Sequence, residues 1–292
     1  MSVSTTRRIA ENRIGQIIDG RYELLGIAGS GGQGYVYRAR DNKDGDVVAV
    51  KILHHEFSQD AEWRERMIRE VRALMLLSRS AAVRVFDQRF TEDGDICIVM
   101  EFLEGHQFED YLQNIESQGH RLALDTLVHV MAPVVACLDL AHENHILHRD
   151  VKPGNIFLHK DGSVRLLDFG FARFLHLKRM TAQGFVAGSP SYLAPESFQM
   201  KPKVFDRRVD VYGLAAVIFR SLAGRPPFVG DLVDLARSVT RGERPSLHAL
   251  RPDLPSAVDD WVKQGLAVDP NDRFLRVPGL WNAFLAAAGV AR

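Results

Sequence analysis

The chain predicts an α+β fold of two lobes, a small β-rich N-lobe with one main helix and a larger α-helical C-lobe. Three observations carry this. Between Tyr22 and Glu104 short β-rich runs alternate with turn signals, one helical segment from about Asp60 to Ser78 interrupts them, and from Leu122 onward the apolar spacing becomes helical. A chain of 292 residues is long enough for a sizeable core, and such lengths often divide in two. The expected division is a leader over 1–20, an N-lobe over 21–103 and a C-lobe over 104–288, joined near Met100–Gly105.

In chain order, the first device is the run Gly29-Ser30-Gly31-Gly32-Gln33-Gly34-Tyr35-Val36. Its G-x-G-x-x-G spacing also occurs in dinucleotide folds, but there a helix follows. Here the strand Tyr35–Ala39 follows, then Asp44-Gly45, then the strand Val47–Lys51, which reads as a hairpin. A glycine-rich hairpin tip lets backbone N–H groups come close to phosphate oxygens, because no Cβ intervenes. Asp93-Gly94 similarly separates Val83–Phe90 from Ile96–Met100.

Trp63, Met67, Val71 and Leu74 recur at spacings of three and four and mark a buried helix face. Glu70 lies on that face, and a buried carboxylate is costly unless paired. Lys51, ending an apolar strand, has the complementary problem, and a Lys51–Glu70 ion pair solves both. Further on, helices are expected over Leu124–Glu143, Asp210–Leu222, Leu232–Thr240, Ser256–Ala267 and Val277–Ala287. Two short strands, Ile156–Leu158 and Val164–Leu167, flank an Asp161-Gly162 turn between the first two of these helices.

The chemistry concentrates in His148-Arg149-Asp150-Val151-Lys152-Pro153-Gly154-Asn155, with Asp168-Phe169-Gly170 starting thirteen residues after Asn155. A candidate base, a cation and two oxygen ligands stand within a short span, the parts phosphoryl transfer needs. Together with the glycine-rich loop and Val48-Ala49-Val50-Lys51, this order closely resembles the protein kinase catalytic domain, from about Tyr22 to Phe284. The leader Gly15–Tyr22 and Gly224-Arg225-Pro226-Pro227-Phe228 look like the eukaryotic-like serine/threonine kinases of bacteria.

The resemblance implies roles for single residues. Asp150 would accept or orient the substrate hydroxyl proton, and Lys152, the pattern of serine/threonine kinases, would neutralise the transferred phosphoryl group. Lys51, held by Glu70, would meet the ATP phosphates under Gly29, Gly31, Gly32 and Gly34. Asn155 and Asp168 would bind Mg2+, with Mn2+ as an alternative. Val36 and Ala49 would roof the adenine and Phe157 floor it, with Glu101 and Leu103 in the hinge and Met100 as gatekeeper. Ala194-Pro195-Glu196 would close the activation segment, with Glu196 paired to Arg273. Asp210 is open to two readings, a helix N-cap or an acceptor for the backbone around His148 and Arg149.

Arg149 beside Asp150 is a cation that needs an anion, and family members with this arginine are commonly switched by phosphate on the activation segment. Thr181, beside Lys178 and Arg179, is the candidate autophosphorylation site. Ser189 stands where the family usually has threonine touching the catalytic Asp and Lys, and Phe171 goes with serine as acceptor. Gly154 replaces an often acidic residue, and Arg79-Ser80-Ala81-Ala82 replaces the usual His-Pro-containing turn.

Composition limits the alternatives. Lys plus Arg and Asp plus Glu each total 37, so no global field favours nucleic acid or an anionic membrane. Cys97 and Cys137 sit in apolar runs and read as buried, reduced thiols of a cytoplasmic protein. No signal-peptide core follows Arg7 and Arg8, and the run Leu214–Phe219 falls far short of a membrane span. The expected protein is therefore a soluble serine/threonine kinase in a signalling role, acting on protein substrates, with a homodimer as one route to activation. The alternatives are a nucleotide-binding pseudokinase scaffold and a small-molecule phosphotransferase. The intact set Lys51, Glu70, Asp150, Asn155 and Asp168 weighs against the scaffold, and Ala194-Pro195-Glu196 against the phosphotransferase.

Overall fold

The computed structural model describes residues 8–31, 34–58, 61–169, 189–198 and 205–290. The chain divides into two compact units, Met1–Glu104 and Gly105–Arg292.

The first unit is built on six antiparallel strands, β1 (Ile17–Ile18), β2 (Tyr22–Gly31), β3 (Gly34–Asp41), β4 (Val47–Leu53), β5 (Val85–Phe90) and β6 (Ile96–Glu101), ordered β1-β2-β3-β4-β6-β5. Helices α1 (His55–Ser58) and α2 (Ala61–Met75) lie between β4 and β5. The Asp-Gly turns form as expected: Gly45, Gly94 and, in the second unit, Gly162 adopt φ of 84°, 82° and 84°, a left-handed conformation that side chains disfavour.

Alternation along the strands gives the sheet two distinct faces. Tyr37 and Ala39 of β3, Val48, Val50 and Ile52 of β4, and Cys97 and Val99 of β6 form a core on one face with Tyr22 and Leu24. Ala10 and Ile18 complete that core. The described part of the segment expected as a leader is thus folded onto the sheet: residues 8–11 form a helical turn, Tyr37 donates its buried hydroxyl to Ala10 O at 3.0 Å, and β1 pairs with β2. Burial raises the Tyr37 hydroxyl and the Cys97 thiol each to about 12. Cys97 and Cys137 are both buried and form no disulfide among the described residues, as their apolar surroundings predict. Along α2, which packs against β5, Met67, Val71 and Leu74 are buried at the expected spacing. The Glu70 side chain, and with it the ion pair to Lys51, lies outside what the structure describes.

The second unit opens with a three-stranded sheet of β7 (Gly105–Gln107), β8 (Ile156–His159) and β9 (Val164–Leu166). Its helices are α3 (Phe108–Ser117), α4 (Leu124–Glu143), α5 (Arg208–Ala223), α6 (Leu232–Arg241), α7 (Leu247–Leu250), α8 (Ala257–Gly265) and α9 (Val277–Ala287). Helix α5 is buried all round from Val209 to Ala223, which explains why its sequence is apolar on every side. Helices α4, α8 and α9 pack against it. By length and composition α4 alone among the described helices would suffice to cross a membrane. In the unit, its Leu127, Val130, Met131, Val134 and Leu138 are buried against the neighbouring helices.

Candidate active site

In the second unit the chain from His148 to Asn155 connects α4 to β8, and Asp168 follows β9. The Asp150 carboxylate is the convergence point. Lys152 Nζ lies 2.7 Å from its Oδ2, and Asn155 Nδ2 donates to the same oxygen at 3.0 Å and to Asp150 O at 2.7 Å. Among the described residues the hydrogen bonds to this carboxylate all fall on Oδ2, so Lys152 and Asn155 hold one of its two oxygens. The turn Pro153–Asn155 brings Asn155 back onto Asp150, with Pro153 supplying the fixed φ that starts it.

His148 sets the direction of this loop. The Asp150 N–H donates to His148 Nδ1 at 3.2 Å, so Nε2 carries the proton and donates to Leu167 O at 2.8 Å. One neutral imidazole therefore ties Asp150 to the residue preceding Asp168. Burial holds the imidazole below its usual pKa, against the pull of Asp210 and Asp150, which keeps this tautomer in place. The ring also packs on Phe169, with centroids 4.6 Å apart.

Asp210, deeply buried on α5, anchors the whole loop. It lies in the first turn of α5 and does not cap it, since that helix begins at Arg208. Its carboxylate accepts from His148 N at 2.9 Å, Arg149 N at 2.6 Å and His142 Nε2 at 2.7 Å. Burial alone would raise its pKa, but the bonds and charges from His142, His148 and Arg149 outweigh that and hold it lowered. Of the two readings open at Asp210, the backbone acceptor is the one that forms. The part of His142 was not singled out in the sequence. Its signal is a histidine on a buried position of an apolar helix, which needs a partner.

This anchoring stabilises a strained backbone. Arg149 and Asp168 have φ of 65° and 56°, rare for residues with side chains and costing roughly 1–3 kcal/mol each. Such conformations persist where surrounding bonds over-determine them, and they fall on the two segments expected from the sequence to carry the chemistry.

Glu196 and Arg273 form the expected pair. Two parallel bonds of 2.8 and 2.7 Å join them across 77 residues in a buried setting, and Arg273 also donates to Ala267 O, Val268 O and Arg208 O. Asn144 and His145 are exposed, as a solvent-facing turn should be.

In the first unit, register assembles a second group. Gly29 pairs with Val36, Val36 with Lys51, and Lys51 with Ile98, while Ala49 pairs with Met100. Opposed residues share a face, so Gly29, Val36, Ala49, Lys51, Ile98 and Met100 all lie on the face opposite the core. Lys51 is 5% exposed. Gly31 pairs with Gly34 where β2 turns into β3. At Gly34 a Cβ would sit 2.0 Å from Ile52 O, so only glycine lets β3 run this close to the end of β4. Glu101 ends β6, with its Oε1 accepting from Arg84 N, and Leu103 follows it. Phe157 lies on β8 of the other unit.

Gly32, Phe171 and Thr181 lie outside the described residues, as does the Ser189 side chain. Among the described residues no three His, Cys, Asp or Glu side chains gather into a metal-binding group. One amide and one carboxylate, Asn155 and Asp168, form a donor set too small to hold a cation alone. It fits Mg2+, which keeps waters and shares its coordination with substrate phosphates.

A chain with this two-unit α+β fold, a glycine hairpin beside a strand lysine and an anchored His-Arg-Asp loop, is of the protein kinase class. The protein kinase domain model matches residues 22–277, and the chain belongs to that family. It is 35% identical over 263 residues to the serine/threonine-protein kinase PrkC of Bacillus subtilis, covering 89% of this chain and 39% of that protein. It is 34% identical over 265 residues to serine/threonine-protein kinase PknH of Mycobacterium tuberculosis strain H37Rv, covering 90% and 41%. The chain thus spans about two fifths of the length of these relatives. Among solved structures, the kinase domain of Mycobacterium tuberculosis PknI is similar with a TM-score of 0.74 at 27% identity, covering 94% of this chain and 98% of that one.

Proposed function

We propose that the chain transfers the γ-phosphate of ATP to serine and threonine hydroxyls of protein substrates. The observation that carries this reading is the Asp150 carboxylate, whose Oδ2 is held by both Lys152 and Asn155. A hydroxyl bonded to Oδ1 would have its proton oriented toward an acceptor and its oxygen lone pair turned outward. Lys152, two residues away and already salt-bridged, would supply positive charge beside the same oxygen as negative charge builds there. Asp150 need not be a strong base, because positioning and electrostatics supply most of the catalysis of phosphoryl transfer.

When bound, ATP with Mg2+ supplies the phosphoryl group and part of the charge neutralisation. Asn155 and Asp168 would hold the metal, and Lys51, supported by Glu70, the α- and β-phosphates. On the first unit Val36 and Ala49 would meet adenine, with Glu101 and Leu103 at its hydrogen-bonding edge. The names of PrkC and PknH support serine and threonine as acceptors, as does the lysine at position 152.

Autophosphorylation at Thr181, a signalling role and a homodimer belong to the same proposal. Incubation of the protein with labelled ATP, Mg2+ and a generic protein acceptor, followed by hydrolysis and phosphoamino-acid separation, tests it. Label on phosphoserine and phosphothreonine is expected, with part of the autophosphorylation mapping to Thr181. ATP binding without any transfer would leave the scaffold reading in its place.

A further inference from the structure

We infer that Asp95 is a positioning residue that couples the N-terminal segment to the helix carrying Glu70, so that residues 8–18 influence phosphate transfer without touching nucleotide. This rests on the proposed kinase activity and on Lys51 working together with α2.

Asp95 immediately precedes β6 with its side chain 3% exposed, and each of its carboxylate oxygens takes a different partner. Arg13 Nη2 lies 2.7 Å from Oδ2, and His55 Nδ1 lies 2.7 Å from Oδ1. Arg13 is itself only 14% exposed, so the pair is desolvated and unlike the exposed ion pairs that contribute little. The backbone of Asp95 is fixed in turn, its N–H donating to Thr91 Oγ1 at 3.0 Å and its carbonyl accepting from Thr91 N at 2.9 Å. One residue on, Ile96 N donates to Ser58 Oγ at 3.0 Å in a buried bond.

Asp95 and Ile96 therefore hold α1 at both ends, through His55, whose side chain is 60% exposed, and through Ser58, and Asp95 holds the N-terminal segment through Arg13. The same N-terminal segment is pinned to the sheet by Ala10, Ile18 and the Tyr37 hydroxyl. Helix α1 begins two residues after β4 ends, and it packs against α2. Whatever holds α1 thus fixes where α2 starts relative to the strand of Lys51. Position 70 lies nine residues along α2, about 13.5 Å at 1.5 Å per residue, so a small tilt at the start becomes a displacement of the helix there. The Arg13–Asp95–His55 group joins three segments that are distant in sequence, and none of its members is among the nucleotide-binding or phosphate-transfer residues named above.

Arg13→Gln and Asp95→Asn in the 292-residue chain are compared with the unmodified chain in steady-state transfer, varying ATP and a protein acceptor separately, with melting temperature recorded. The expected result is a fall in kcat/KM for ATP of roughly tenfold, below the ~100-fold that a 1 Å misplacement can cause. KM for the acceptor stays unchanged, and Arg13→Lys recovers most of the loss. Amide hydrogen exchange over residues 55–75 rises in both variants. Unchanged ATP kinetics, or an equal loss toward both substrates that tracks a lower melting temperature, would overturn the inference. No transfer by the unmodified chain would instead overturn the proposed function, and the exchange measurement would then decide the clamp by itself.

Discussion

In the sheet unit, Gly29, Val36, Ala49 and Lys51 share a face because antiparallel register places them there. In the helical unit, Asp150 is aimed by hydrogen bonds running from Asp210 on α5 through His148 to a loop with left-handed residues. The first arrangement needs only correct strand pairing and room for a backbone, and it tolerates changes of side chain that keep alternation. The second stands on a few buried polar groups, each costly to leave unpaired. The sheet unit thus places its residues by register, which is robust, and the helical unit by a polar network, which is exact and fragile.

Removing the anchor should show the fragility most strongly. Asp210→Ala leaves three donors unsatisfied in the core and is expected to destabilise the protein by roughly 3–5 kcal/mol, as when one partner of a buried charged group is lost. Urea unfolding measures this, and a loss under ~1 kcal/mol would mean that the loop is held by other means. Glu196→Gln keeps the shape but removes the charge facing Arg273, for an expected loss of roughly 2 kcal/mol, within the range for charge-assisted hydrogen bonds. The same unfolding experiment checks it, and equal stability would show the pair to be dispensable.

The register-built group of the sheet unit should respond to sterics in place of polarity. Gly34→Val forces a side chain against Ile52 O and should cost ~1–3 kcal/mol of overpacking. Its expected readout is ATP affinity reduced by about 10-fold, where 1.4 kcal/mol is tenfold, with the unfolding of the helical unit unchanged. Unaltered affinity would show that the hairpin tip does not need its close approach.

The smallest effect is one of pH. His148 has a folded pKa below its ordinary value, so the unfolded state binds the proton more readily. Stability from this group is fully present above about pH 6.5 and is lost as pH falls below that value toward the folded pKa. Asp210, also lowered, loses its contribution only at more acidic pH, below the ordinary carboxylate range. His148→Phe, which keeps a ring against Phe169, should melt with a shallower slope between pH 7.5 and 5.5. An identical slope would assign that dependence elsewhere.

The sequence was most legible where a single periodicity decides the structure. Helices Leu124–Glu143 and Val277–Ala287 have the ends their apolar spacing predicts, and the three Asp-Gly turns form. Helix α3 went unread, although Phe108, Tyr111, Leu112 and Ile115 lie at helical spacing, because its polar positions mask a short run. The Asp150–Asn155 motif was readable as a pattern, and the structure brings Lys152 and Asn155 onto Asp150. His142 and the Arg13–Asp95–His55 group were not readable, since their meaning lies in partners 40 to 82 residues away that no local pattern announces.

The most direct test is single-turnover phosphate transfer from ATP and Mg2+ to a protein acceptor by the unmodified chain and by Asp150→Asn. The substitution preserves size and the contact to Lys152 while removing the carboxylate that would orient the hydroxyl proton. A rate at least ~100-fold lower, with unchanged melting and ATP affinity, is the predicted result. Equal rates in the two proteins would contradict the role of Asp150 on which the account rests.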